Sequence, residues 1–150
     1  MNTRIEPVTL ENSADLYPLM ECYYVDDHLE YDDAFAKKAV TELVASPGLG
    51  RIDFLVDDTT QKRIGYVVIA YGFSFEFGGR EAFVDEVFVS QEYRGQGLGS
   101  SLIRHAIEHS KSIGIQGVRL ETTPTNAGAL RLYERLGFKN LGRSLLAYQF

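Results

Sequence analysis

The sequence predicts a mixed α/β domain in which helices come first, strands follow, and a β–α–β–α–β run ends the chain. Three observations support this class. Apolar residues recur at helical spacing before residue 45, alternate with polar residues between 52 and 89, and return to helical spacing after a glycine-rich segment at 95–99. With 150 residues, 45% of them hydrophobic, the chain can bury one core, so we expect a single domain, 1–150.

The first fifty residues are expected to form one short strand and two helices. Residues 4–8 are extended, and apolar positions at helical spacing predict a first helix over residues 12–24. Pro18 lies inside that helix and is expected to kink it, because proline lacks the amide donor. A second helix begins at an N-cap aspartate, Asp32 or Asp33. Its expected apolar stripe is Phe35, Ala39, Val40, Leu43 and Val44.

The middle of the chain predicts a meander of strands. One strand contains residues 52–56, and a longer one covers residues 64–77. Gly78 and Gly79 are expected to form a tight hairpin turn, after which residues 81–89 return as the partner strand. We expect most aromatic side chains of this hairpin to lie in the core.

The last third predicts a helix, a strand, a second helix and closing strands. An amphipathic helix begins at Leu98, directly after the glycine-rich segment. Residues 118–122 alternate as a strand, and Asn126 caps a further helix that Gly137 ends. Residues 138–150 are expected to add one or two strands.

Charge is distributed unevenly along the chain. Residues 1–58 include thirteen acidic and four basic residues, whereas residues 59–150 include eight acidic and eleven basic ones. The net charge of −6 argues against nucleic acid as the main partner. No apolar run approaches the roughly 20 residues that span a bilayer, so we expect no membrane partner. An acidic N-terminal part and a mildly basic C-terminal part suit two ligands of opposite charge.

The single cysteine and two of the histidines receive a structural interpretation. Cys22 has no partner for an internal disulfide, and residues 1–5 lack the apolar stretch of a signal peptide, so we expect a reducing, cytoplasmic location. Cys22 itself is expected to be a small core residue. His105 and His109 match the H-x-x-E-H zinc pattern, but they flank an apolar helical stripe without a third ligand, so we expect no metal.

Residues 94–100 have the composition of an anion-binding loop. Glycines at 95, 97 and 99 let the backbone approach a ligand, the first-turn amides of the next helix are unpaired, and Arg94 adds positive charge. The spacing does not fit the G-x-G-x-x-G dinucleotide fingerprint, and the Gly-Lys-Ser/Thr ending of a nucleoside-triphosphatase loop is absent. A different phosphate-bearing ligand is therefore expected.

The loop Arg94-Gly95-Gln96-Gly97-Leu98-Gly99 resembles the Q/R-x-x-G-x-G/A signature of the GCN5-related N-acetyltransferases, the GNAT family. Asn126, Tyr133 seven residues later, and the run Leu136-Gly137-Phe138 extend the resemblance, which covers residues 64–140. It implies a mixed, mostly antiparallel sheet of about six to seven strands flanked by about four helices.

The resemblance also implies acetyl-CoA as the cofactor. The glycine loop would hold its pyrophosphate, the preceding strand would pair with its pantetheine arm, and Tyr133 would stand beside the thioester sulfur. Residues 1–60 would serve the acceptor, and a homodimer is expected because family members are often dimers. The implied cofactor-binding residues are Val87, Phe88, Val89, Arg94, Gly95, Gln96, Gly97, Leu98, Gly99, Ser100, Asn126 and Tyr133.

Acetyl transfer to an amine requires a base, because only about one lysine-like amine in 2,500 is neutral at pH 7. A carboxylate can accept the proton. Asp85 and Glu86 precede the pantetheine-binding segment, and strand alternation sends them to opposite faces, so at most one of them faces the substrate. The other interpretation is that both acids are solvated or paired with Arg80 or Arg119. We favour Glu86, although a bulge would change this count. Tyr133 would stabilise the leaving thiolate by a hydrogen bond.

Family architecture places the acceptor amine between the first pair of helices and the strand hairpin. Acids and aromatic rings attract a cationic amine. The expected wall residues are Tyr23, Tyr24, Asp27, Glu30, Tyr31, Tyr71, Phe73 and Glu76. The other interpretation of the acidic run is a solvated loop.

The predicted function is therefore an N-acetyltransferase that uses acetyl-CoA. Its acceptor would be a primary amine of a small molecule, a polyamine or a protein, attacking directly in a ternary complex. A non-catalytic acyl-CoA-binding sensor is the second hypothesis, and an anion-binding interaction domain is the third. Tyr133 and an acid before Val87 favour the enzyme, because a binding module needs neither.

Overall fold

A computed structural model describes all residues, 1–150, and contains one five-stranded sheet with two helices against each face. The strands lie in the order β1-β2-β3-β4-β5; the first three pairings are antiparallel and the β4–β5 pairing is parallel. The strands are β1 (Thr3–Pro7), β2 (Gly50–Asp57), β3 (Arg63–Ser74), β4 (Gly79–Val89) and β5 (Gly117–Leu120). The helices are α1 (Tyr17–Asp26), α2 (Asp33–Ala45), α3 (Leu98–Ser112) and α4 (Ala127–Arg135), with short 3₁₀ turns at Ser13–Asp15 and Gln91–Tyr93.

Each face of the sheet has its own apolar core. The α1-side cluster consists of Val8, Leu16, Met20, Ala36, Val40, Ile52, Phe54, Val56, Tyr66, Val68 and Phe88. The α3-side cluster consists of Leu55, Ile64, Val67, Ile69, Ala82, Val84, Val89, Leu98, Leu102, Ile103, Ala106, Ile115 and Tyr133. Consecutive residues from Phe54 to Val56 of β2 and from Tyr66 to Ile69 of β3 therefore belong to opposite clusters, as the two-residue period requires.

The predicted helix caps are confirmed. Asp32 accepts a hydrogen bond from the Phe35 amide (2.9 Å), and Asn126 accepts one from the Ala129 amide (3.1 Å). Gly137 follows α4 with a φ of +96°, a conformation that glycine adopts without strain. The longest helix, α3, has 15 residues, and no helix combines the length and apolarity needed to cross a membrane.

The expected six to seven strands are wrong, because the sheet has five. Residues 138–150 form neither helix nor strand. The backbone of residues 139–150 makes no hydrogen bond to another backbone group, so the closing strands predicted there have no sheet partner.

Four smaller expectations are also corrected. Pro18 lies in the first turn of α1, where its missing amide costs no helical hydrogen bond, so it does not kink the helix. The hairpin turn spans residues 75–78, and Gly79 already belongs to β4. In α2, Phe35 and Ala39 are exposed instead of buried, and Ala36 is buried instead. Cys22 is exposed, as are Phe73 and Phe75 of the hairpin, because they lie outside both clusters.

Candidate active site

A bulge in β4 decides which way its two carboxylates point. Val68 of β3 lies opposite Glu86, whereas the next residue, Ile69, lies opposite Val84, so Asp85 is the extra residue. Val84 consequently belongs to the α3-side cluster, while Glu86 faces the side of the α1-side cluster. In a regular strand Val84 and Glu86 would share a face.

Glu86 lies among tyrosines and acids. The hydroxyl of Tyr66 donates a hydrogen bond to Oε2 of Glu86 (2.8 Å). Burial raises the pKa of Glu86 above its ordinary 4.5, Asp85 and Asp27 raise it further, and the hydroxyls of Tyr66 and Tyr24 oppose the rise. Neither Glu86 nor Asp85 forms a salt bridge. A carboxylate in this setting is a stronger base than one in water.

Desolvation acts on the neighbouring groups in the same direction. It raises the pKa of Asp85 above 3.8 and the pKa of Tyr24 to about 12. Burial and the charges of Asp27, Glu86 and Asp85 keep Tyr23 protonated. The tyrosine hydroxyls around Glu86 therefore remain hydrogen-bond donors at neutral pH.

The glycine loop leaves a row of amides without partners. Gly95 and Gly97 both have a φ of +78°, and Gly97 is the N-cap residue of α3. None of the amides of residues 95–100 donates a hydrogen bond within the protein. These donors lie at the positive end of a 15-residue helix, a combination that suits phosphate groups.

Arg94 is already occupied by contacts inside the protein. Its guanidinium pairs with Asp26 at the end of α1, its Nε donates to the Val89 carbonyl (2.8 Å), and it lies 5.4 Å from the centre of the Phe88 ring. The sequence predicted Arg94 as positive charge for the anion. In the fold, Arg94 also connects α1 to the glycine loop.

The outer edge of β4 is open beside this loop. β5 pairs only with residues 81–84, so residues 85–89 have no strand on that side. Alternate residues of an antiparallel strand direct their backbone groups to opposite sides. Because Ser90 donates to Ile64 of β3, the amide and carbonyl of Val87 face the open side, where an extended ligand can pair with them.

Tyr133 lies on the opposite face of the sheet from Glu86. It belongs to the α3-side cluster, against which Val87 also packs, and its ring lies 6.0 Å from that of Phe138. Burial raises the pKa of Tyr133 above 10.0. The phenol thus stays protonated and available as a donor.

Four of the predicted acceptor residues in or after α1 lie on the Glu86 side of the sheet: Tyr23, Tyr24, Asp27 and Tyr31. Tyr24 and Tyr31 pack edge to face at 5.7 Å, and the charge of Asp27 acts on Glu86. Glu30 is exposed between α1 and α2. A cavity of about 470 Å³ opens between α1 and the end of β4. Its lining residues are Glu21, Cys22, Val25, Asp26, Phe88, Ser90, Gln91, Glu92 and Arg94.

The three acceptor residues predicted on the strand hairpin lie elsewhere. The Tyr71 hydroxyl contacts Nε2 of His109 on α3 (2.8 Å), so Tyr71 is on the opposite face from Glu86. Phe73 is exposed, and Glu76 accepts a hydrogen bond from Arg143 (2.8 Å) at the hairpin tip. The fold does not bring these three residues to the Glu86 carboxylate.

The sequence did not predict two polar features of the sheet, one at the candidate base and one on the opposite face. Tyr66 contacts the candidate base, and its only sequence signal is a phenol inside an apolar strand. Asp53 is completely buried, where it pairs with Arg51 and lies 2.7 Å from Nε2 of His105. The two histidines of the zinc-like pattern thus contact Asp53 and Tyr71, and no group of three His, Cys, Asp or Glu side chains is arranged to hold a metal ion.

The sequence matches known proteins over most of its length. A model of the acetyltransferase (GNAT) family matches residues 14–138. The thialysine N-epsilon-acetyltransferase of Bos taurus is 36% identical over 81 residues, which are 51% of this chain and 48% of that protein. The ribosomal protein bS18-alanine N-acetyltransferase of Escherichia coli is 40% identical over 58 residues, 39% of each chain. The chain thus spans less than half the length of these curated relatives.

Solved structures share the whole fold. An integron cassette protein from the mobile metagenome of Cole Harbour Salt Marsh has a TM-score of 0.84 and 30% identity, covering 97% of this chain and 89% of that one. A probable acetyltransferase has a TM-score of 0.85 and 21% identity, covering 98% and 97%. The second likeness concerns the fold alone.

Proposed function

The chain belongs to the acetyltransferase (GNAT) family, as its sequence predicted, and on that premise we propose that it transfers the acetyl group of acetyl-CoA to a primary amine. The acceptor is a small amine, a polyamine or an exposed protein amine, and it attacks directly in a ternary complex. The observation that carries the proposal is that β4 has an open backbone edge at Val87 next to Glu86, a half-buried carboxylate that forms no salt bridge.

The cofactor side of the proposal uses groups that have no other partner. The free amides of residues 95–100 would bind the pyrophosphate, and the backbone of Val87 would pair with the pantetheine arm. Acetyl-CoA supplies a thioester whose C–S bond breaks as the C–N bond of the amide forms. Tyr133 would donate a hydrogen bond toward the sulfur, since a phenol of pKa about 10 gives up its proton less readily than a thiol of about 8.5.

Glu86 would remove the proton that the attacking nitrogen loses. A free lysine-like amine has a pKa of about 10.4, so the neutral form costs about 4.6 kcal/mol at pH 7. The raised pKa of Glu86 makes its carboxylate a better proton acceptor and offsets part of that cost. Asp85, the bulged residue directly before Glu86, is the alternative base.

The acceptor is proposed to be cationic. Glu21, Asp26 and Glu92 line the cavity beside Phe88, and its one basic residue, Arg94, is neutralised by Asp26. Tyr24, Asp27, Glu30 and Tyr31 extend the same acidic, aromatic side. Relatives named for thialysine and for a ribosomal-protein alanine suit a small or a protein-borne amine.

Ligand-induced stabilisation tests the cofactor. Acetyl-CoA at a hundredfold excess over its Kd should raise the melting temperature by about 5–10 °C, and the same concentration of inorganic phosphate should raise it far less. Gly97→Ala should abolish the shift. Gly78→Ala, at a similar positive φ in the hairpin turn, should keep it. An equal shift with phosphate would instead support an anion-binding domain.

Thiol release with a panel of amines separates an enzyme from a sensor. We expect coenzyme A release with at least one cationic primary amine and not with its N-acetylated form. Binding of acetyl-CoA without release from any amine would support the acyl-CoA-binding sensor.

A cytoplasmic location and a homodimer stay predictions.

A further inference from the structure

Tyr66 is a fully buried tyrosine whose hydroxyl has one partner, the candidate base. It lies in the middle of β3, and its hydroxyl donates to Oε2 of Glu86 at 2.8 Å. Its neighbours on β3, Gly65 and Val67, are also buried. A phenol in such a strand needs a partner for its hydroxyl, and Glu86 provides it.

The ring of Tyr66 is fixed by packing. It lies opposite Phe88 in the β3–β4 register, with ring centres 5.9 Å apart, and Tyr23 packs edge to face against it at 6.4 Å. Glu86 lies opposite Val68, two residues farther along β3, so Tyr66 reaches the carboxylate diagonally. Packing of the ring in the core therefore fixes the position of the Tyr66 hydroxyl.

The groups around Glu86 offer donors but no positive charge. They are Tyr66 from β3, Tyr23 and Tyr24 from α1, Asp27 at the end of α1, and Asp85 from β4. A half-buried carboxylate without a neighbouring cation is shifted toward its protonated form, which cannot accept a proton from an amine. A donor to the ionised oxygen is the one interaction available here that opposes this tendency.

We propose that Tyr66 is a positioning residue that holds the Glu86 carboxylate ionised and oriented for deprotonation of the acceptor amine. This role rests on the proposed acetyltransferase function. Its hydrogen bond favours the charged form of Glu86, and its fixed ring leaves Oε1 as the oxygen free to meet the substrate.

The test is the pH profile of kcat/KM for Tyr66→Phe, which keeps the ring and removes the donor. The acidic limb, which reports the ionisation of Glu86 in the free enzyme, should move to higher pH by about one unit. Tyr17→Phe is the matched control, because Tyr17 packs against the same cluster and contributes nothing to the pKa of Glu86. Its limb should coincide with that of the parent protein.

Glu86→Gln distinguishes the proposed role of Glu86 as the base from the proposed role of Tyr66 as its positioning residue. If the acidic limb persists in Glu86→Gln, the limb belongs to another group and the proposed base is lost, whatever Tyr66 does. If Glu86→Gln removes the limb and Tyr66→Phe leaves it in place, the base stands and the role of Tyr66 is overturned.

A second substitution keeps the test decisive if Tyr66→Phe does not fold. Site-specific 3-fluorotyrosine at position 66 retains the hydroxyl and makes it a stronger donor, because fluorine withdraws electron density from the ring. The acidic limb should then move to lower pH. An unchanged limb, or one moved to higher pH, would contradict the proposal.

Discussion

Asp53 and Glu86 are two carboxylates of one sheet with opposite surroundings, the first fully buried and the second half-buried. Burial raises the pKa of Asp53, but hydrogen bonds from His105 and Arg51 outweigh it, so the pKa falls below 3.8. Burial likewise raises the pKa of Glu86, and tyrosine hydroxyls alone do not reverse it. A cation within hydrogen-bonding distance is present at Asp53 and absent at Glu86, which explains why the pKa values of the two carboxyls shift in opposite directions.

The Asp53 side is a closed network. Arg51 also donates to Nδ1 of His109 (3.2 Å), so that nitrogen is unprotonated and the neutral ring carries its hydrogen on Nε2, facing the Tyr71 hydroxyl. Every charge in this group has a partner. The Glu86 side leaves its charge for a ligand, which is what a catalytic acid–base group requires.

Among the substitutions considered, Glu86→Gln is expected to have the largest effect. The amide keeps the size and can still accept from Tyr66, but it cannot take a proton, so kcat/KM should fall by about 10²–10⁴-fold. Steady-state thiol release measures this, and stabilisation by acetyl-CoA should not change. A larger loss with Asp85→Asn than with Glu86→Gln would move the base to the bulged residue.

Asp53→Asn tests whether the ion pair of Asp53 stabilises the fold. It removes the counter-ion of Arg51 inside the fold, and breaking a buried pair costs about 3 kcal/mol of unfolding free energy, measured by urea denaturation. Asp58→Asn is the control, because Asp58 pairs with Arg4 at the surface and should cost less than about 1 kcal/mol. Equal losses would show that burial does not distinguish the two pairs.

The smallest expected effect is the pH dependence that His109 contributes. Burial and the charge of Arg51 lower the pKa of His109 below the 6.5 of the unfolded chain. The unfolded state therefore takes up more protons as pH falls through 6.5, and the protein loses stability from there downward. Asp53, His105 and Tyr71 are the other groups facing His109.

The difference in melting temperature between the parent protein and His109→Gln isolates this contribution. Glutamine can accept from Arg51 and donate to Tyr71 without titrating. The parent protein should lose more stability than the variant between pH 7 and pH 5. Parallel curves would mean that His109 is not held neutral by its neighbours.

Local signals predicted much of the fold. The sequence predicts Asn126 as one cap and Asp32 or Asp33 as the other, because capping depends on residues within one helical turn, and the structure selects Asp32. The strands β2 to β4 follow the two-residue period of their apolar side chains. The prediction of one or two strands in residues 138–150 was wrong, because a strand also needs a pairing partner, which no local pattern supplies.

The sequence by itself determined the family, the glycine loop before α3, and the choice of Glu86 or Asp85 as candidate base, since each depends on residues close along the chain. Only the tertiary structure decided that Asp85 is the bulged residue, that Tyr66 contacts Glu86, and that Arg94 pairs with Asp26. The two side-chain contacts join residues 20 and 68 positions apart, because strand register and helix packing, not local preference, bring such side chains together.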